Sequence, residues 1–124
     1  MFKSTGQLKY FNRWLIIVVD KDICKYYSKL INYYSKPIKL HPSKDGPHIT
    51  VIAGKYETIV NQIYWKKYDG NPIEFEYKNE IDTDGNYFWL PVQCTRIEDI
   101  RIELGLPPVT PIPWHLTIGN LNEK

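Results

Sequence analysis

Two stretches decide the reading: Trp114-His115-Leu116-Thr117-Ile118 near the C-terminal end and Pro47-His48-Ile49-Thr50-Val51 near the middle. Each has the form His-apolar-Thr-apolar and reads as a short β-strand. Alternate side chains of a strand point to the same face. His48 and Thr50 therefore share one face, as do His115 and Thr117. Ile49, Val51, Leu116 and Ile118 take the opposite, apolar face. Two such strands side by side would set two imidazoles and two hydroxyls around one cleft. A lone His-x-Thr is more often a solvated edge or a satisfied core histidine. Here two of only three histidines share the motif together with its apolar flanks.

Working outward, Arg13 to Val19 is a continuous apolar run rich in β-branched residues, which predicts a buried strand. Asp20 or Asp22 then caps a helix that carries Ile23, Tyr27, Leu30, Ile31 and Tyr34 at helical spacing to about Ser35, where Pro37 closes it. Lys36 to Pro47 reads as loop. The His48 strand ends at Gly54, and residues 57–67 predict a short helix with Ile59, Ile63 and Trp65 or Lys66 inward. Pro72 to Ile81 alternates, with Ile73, Phe75 and Tyr77 on one face. Asp82-Thr83-Asp84-Gly85-Asn86 is a turn signal, and Asn86 to Gln93 returns as the second strand of a hairpin. Thr95 and Glu98 have the capping-box spacing. They open a helix with Ile97, Ile100 and Leu104, stopped by Gly105. Residues 106–113 hold four prolines and must be extended loop, and His115 to Leu121 is the last strand. Residues 1–12 are polar without a period and read as an arm.

The order contains a repeat of pattern. Strand 13–19, helix 21–35, proline-containing loop and His-x-Thr strand make one unit; strand 86–93, helix 95–104, proline-rich loop and His-x-Thr strand make another. The fold class that follows is α+β: a single domain over residues 1–124, compact and two-lobed. A pseudo-twofold β-α-β repeat would give a mainly antiparallel sheet lining a central cleft, with helices outside. The first lobe covers about residues 13–54 and the second about 72–121.

Composition bounds the function classes. The chain has 124 residues, 43% hydrophobic and 24% charged, which is usual for one globular domain. A net charge of +2 is too small to argue for extended DNA or another long polyanion, but it does not exclude a small phosphorylated ligand. Cys24 and Cys94 match no metal or redox spacing and read as reduced core residues. No apolar run approaches a membrane span, and the N-terminal residues lack a signal-peptide core, so a cytoplasmic protein with no membrane partner is expected.

Phosphodiester hydrolysis needs a base for the nucleophile, an acid for the leaving oxygen, and donors for the developing charge. Imidazoles as a class titrate near neutrality, so one histidine can serve as base and the other as acid. Threonine hydroxyls can donate to the non-bridging oxygens, and their β-branch restricts the rotamers. The candidate catalytic residues are therefore His48, Thr50, His115 and Thr117, with no metal and no cofactor.

In these residues the chain resembles the 2H phosphoesterases, whose defining feature is two H-x-[T/S] motifs on central strands of a two-lobed fold. Here these are His48-Ile49-Thr50 and His115-Leu116-Thr117. The resemblance covers nearly the whole chain in architecture, but in sequence it rests on the two tetrads and their spacing. It implies that His48 and His115 form the acid/base pair and that Thr50 and Thr117 hold the phosphate. The family includes enzymes that open 2′,3′-cyclic phosphates on RNA ends or nucleotides. It also includes a compact phage-encoded branch that degrades cyclic di- and trinucleotide immune signals. The chain's shortness favours a small cyclic nucleotide over an RNA end, and the host cytoplasm as the location if it is phage-encoded.

Candidate substrate-binding residues are Tyr10, Trp65, Trp89 and Lys55, with Phe11 and Lys44 behind them; for the aromatics, base stacking competes with ordinary packing. Trp114 precedes His115, so alternation turns it away from the histidine face. Two other readings stand beside the enzyme. One is a non-catalytic nucleotide-binding module, a signal sponge. The other is a metalloenzyme using His41, His48 and His115.

Overall fold

The computed structural model describes residues 1–34, 40–42 and 46–121; the expected helix end at Ser35 and Pro37, and Lys44, lie outside the described residues. The elements run β1 (Phe2–Phe11), β2 (Trp14–Val18), α1 (Lys21–Tyr34), β3 (His48–Ile52), β4 (Pro72–Tyr77), β5 (Asp82–Thr83), β6 (Tyr87–Gln93), α2 (Thr95–Glu103) and β7 (His115–Asn120). The fold is α+β, and every strand pairing is antiparallel. Strand order is β4-β1-β2-β3-β7-β6-β5, and β4 also pairs with β6. Six strands thus close into a barrel, while β5 pairs along the other part of β6.

Period-two alternation builds the core. Leu8 and Tyr10, Leu15 and Ile17, Ile49 and Val51, Ile73 and Phe75, Leu90 and Val92, Leu116 and Ile118 are all buried. Cys24, Tyr27 and Ile31 from α1 join the same cluster, as do Ile97 and Ile100 from α2 and the adjoining Leu104. Each buried aliphatic side chain contributes about 1.5–3 kcal/mol, so this shared face outweighs local propensity in fixing strand register. Asp20 caps α1 through Oδ1, which accepts the Asp22 N–H at 2.9 Å. The expected hairpin forms in part: Glu76 and Tyr77 of β4 pair with Gln93 and Val92 of β6, while Asp82 and Thr83, expected in the turn, form β5 against Trp89 and Phe88. Asp84 Oδ1 accepts the N–H groups of Asn86 and Tyr87 at 2.9 and 2.8 Å, and Gly85 takes φ +97°. Among the described residues, no helix is long and apolar enough to cross a membrane.

Three local expectations are corrected. Residues 1–12 are not an arm: β1 lies between β2 and β4 and buries Gly6, Leu8 and Tyr10. Its period is hidden because the first inward position is glycine. A Cβ at Gly6 would stand 2.6 Å from the Val18 carbonyl oxygen, so no side chain fits there. Phe11 pairs with Trp14 across a two-residue turn in which Asn12 takes φ +52°, a conformation asparagine tolerates. Residues 57–67 hold only a 3-10 turn at Gln62–Tyr64; Ile59 is buried, but Ile63 is 86% exposed. The capping box does not form, because Cys94 occupies the N-cap of α2 without a side-chain bond.

Candidate active site

The two motifs lie on neighbouring strands. β3 and β7 run antiparallel with Ile49 opposite Leu116. That register sets His48 opposite Thr117 and Thr50 opposite His115. In both strands the motif histidine and threonine are half-buried, and the residue between them is fully buried. Directly opposed side chains have Cβ atoms about 4.5–5.5 Å apart, and diagonal ones roughly 7–8 Å. The histidines are the diagonal pair. All four residues face away from the core to which Ile49 and Leu116 belong.

Both rings are held in the same way. His48 Nδ1 lies 2.7 Å from the Gly46 carbonyl oxygen, and His115 Nδ1 lies 2.9 Å from that of Pro113. A carbonyl only accepts, so each Nδ1 carries a proton and donates it two residues back along the chain. Each Nε2 is then left to take or give a proton. Gly46 adopts φ +80°, a conformation glycine reaches freely, at the point where the His48 tether is made. Neither threonine hydroxyl makes a hydrogen bond to a described residue.

The surroundings are set by neighbouring strands. Val18 and Ile16 of β2 stand opposite His48 and Thr50; Trp89 and Pro91 of β6 stand opposite Thr117 and His115. The Trp89 ring meets the His115 ring edge-on, with centroids 6.2 Å apart. Two pockets flank His115. One, of about 660 Å³, is lined by Thr117, Trp89, Tyr87, Asp82 and Lys78. The other, of about 480 Å³, is lined by Thr50, Tyr56, Glu57, Pro107 and Val109. Ile112 to His115 form a wall common to both. Both volumes fall in the range of small-molecule sites.

Of the expected binding residues that are described, only Trp89 reaches this site. Tyr10 is 6% exposed in the core and packs edge-on against Trp65 at 4.9 Å. Burial pushes its hydroxyl up to about 12. Lys55 sits 5.5 Å over the Tyr56 ring, and neither Lys55 nor Trp65 lines either flanking pocket. Trp114 points away from the histidines into the core, as strand alternation requires. Cys24 and Cys94 are free and buried, and burial raises both thiols, Cys24 to about 11. His41 exchanges backbone hydrogen bonds with Asn120 at 2.8 and 3.0 Å. Among the described residues no three His, Cys, Asp or Glu side chains gather as metal ligands, so His41, His48 and His115 form no such group.

Sequence reasoning missed Glu57 and Arg101, which form an ion pair in the floor of the smaller pocket. One signal existed. Arg101 stands four residues after Ile97 and three before Leu104, on the apolar stripe of α2. No family model, curated protein or solved structure matches the chain.

Proposed function

We propose that this chain is a metal-independent phosphodiesterase of the 2H type that hydrolyses small cyclic nucleotides. The observation that carries the reading is the Ile49–Leu116 register, which sets each motif's histidine across from the other motif's threonine. One imidazole accepts a proton at Nε2 from the attacking water. The other donates from Nε2 to the leaving ester oxygen. Thr50 and Thr117 donate to the non-bridging oxygens as charge builds there. The near-equivalence of the two Nδ1 tethers lets either histidine take either role, according to how the substrate lies. In this reading residues 13–54 and 72–121 act as two pseudo-twofold lobes that meet at β3 and β7. Trp89 offers a face for a base beside His115.

The substrate class is a cyclic di- or oligonucleotide signal or a 2′,3′-cyclic phosphate. Removal of such a signal would suit a phage protein evading cyclic-nucleotide immunity in the host cytoplasm. A panel of 2′,3′-cyclic mononucleotides, cyclic dinucleotides and a cyclic trinucleotide, assayed with EDTA present, tests the proposal. Turnover by the wild-type chain, lost by about 100-fold or more in both His48→Ala and His115→Ala, is expected. Binding without product across the panel would leave a nucleotide sponge and end the enzyme reading.

A further inference from the structure

The side chain that ties the two motifs together belongs to neither of them. Arg101 is 1% exposed. Its Nε donates to the Pro107 carbonyl at 2.8 Å and its Nη1 to the Val51 carbonyl at 2.9 Å. Nη1 and Nη2 also hold the Glu57 carboxylate in a fork, at 3.0 and 2.5 Å. The guanidinium lies 5.5 Å over the Trp114 ring. Glu57 Oε1 in turn accepts the Ala53 N–H at 3.2 Å.

Val51 directly follows Thr50, and Trp114 directly precedes His115. One guanidinium thus touches the chain a single residue away from each motif. Through Pro107 it also holds the start of the proline-rich loop, and that loop's Pro113 carbonyl anchors the His115 ring. With these bonds made, the guanidinium is engaged on both Nη atoms and on Nε, so it is poorly placed to bind a phosphate itself. A buried ion pair gives little net stability, because desolvation offsets the attraction. What a two-point guanidinium–carboxylate fork does supply is angular definition.

We propose that Arg101, held by Glu57, is the positioning residue of the site, fixing Thr50 through Val51 and His115 through Trp114. The kinetic consequence rests on the two-histidine reading above; the structural one does not. Two variants test it. Glu57→Met/Arg101→Met removes both charges while keeping volume, and Arg101→Lys keeps the charge but loses the planar fork. Long-range 15N–1H spectra report the tautomers of the His48 and His115 rings, and steady-state kinetics on the best panel substrate report kcat and KM. In both folded variants the His115 ring is expected to lose its pure Nδ1–H form. kcat should fall about 10- to 100-fold with KM within about twofold, the size expected when reacting groups shift by roughly an ångström. Folded variants with wild-type ring spectra and wild-type kcat would overturn the proposal. So would a double variant that does not fold, since the pair would then serve folding rather than geometry. A wild-type chain that turns over nothing sinks the two-histidine reading alone, and the ring spectra still decide whether Arg101 positions His115.

Discussion

Thr50 and Thr117 are the side chains whose chemistry is easiest to isolate. Each stands across the strand pair from the other motif's histidine. Threonine to valine keeps the β-branch and the volume while deleting one hydroxyl. Thr50→Val and Thr117→Val are each expected to lower kcat by about 100- to 1000-fold, the usual loss for one donor to a developing oxyanion, with the fold intact. A loss below about threefold in steady-state assays would place the hydroxyls away from the phosphate. The four motif residues were legible in the sequence because period-two alternation and a repeated tetrad act locally. Tyr10 was not, since an aromatic among polar neighbours reads equally as rim or core. Arg101 escaped because charged side chains are seldom fully buried, and its place on the α2 stripe was overridden by that habit.

β1 shows how an element can hide. Its inward residues are Gly6, Leu8 and Tyr10, so the sequence offers only two bulky side chains to mark a strand. Yet it forms ladders with both β2 and β4. Losing Leu8 and Tyr10 alone forfeits about 3–6 kcal/mol of burial, and two partner strands would lose their hydrogen bonds. Set against a typical total stability of 5–15 kcal/mol, deletion of residues 1–12 is expected to abolish folding. A cooperative thermal transition in the truncated chain, followed by circular dichroism, would show instead that these residues are dispensable. β2, β3, β4, β6, β7 and both helices were legible because long apolar runs, turn residues and helical stripes agree with one another, whereas the two residues of β5 were read as turn. The helix expected over 57–67 failed where Ile59 and Ile63 suggested a common face, and only Ile59 is buried.

At the scale of the whole molecule, closure of the barrel was not legible. It depends on β1, expected as an arm, pairing with both β2 and β4; the meeting of Glu76 and Tyr77 of β4 with Gln93 and Val92 of β6 belongs to the expected hairpin. The closed core nevertheless has a titration behaviour that can be measured. Burial pushes the Cys24 thiol from 9.0 to about 11 and the Tyr10 hydroxyl from 10.0 to about 12, and it raises Cys94 and Tyr27 as well. The folded state therefore favours the neutral forms. The stability they contribute is fully present below about pH 9 and is lost as pH rises from there toward about 12. Urea midpoints measured at pH 7, 9 and 10.5 should be level over the first interval and fall over the second. A midpoint that rises with alkaline pH would contradict the burial of these groups.

The central claim is that two histidines on adjacent strands act on one phosphorus centre. It is tested most directly by comparing turnover of His48→Ala, His115→Ala and the double variant on one cyclic nucleotide with EDTA present. Groups that act as a unit are strongly non-additive. The double variant is therefore predicted to be no more than about tenfold slower than the worse single variant. Losses that multiply, or either single variant retaining wild-type turnover, would contradict a shared site.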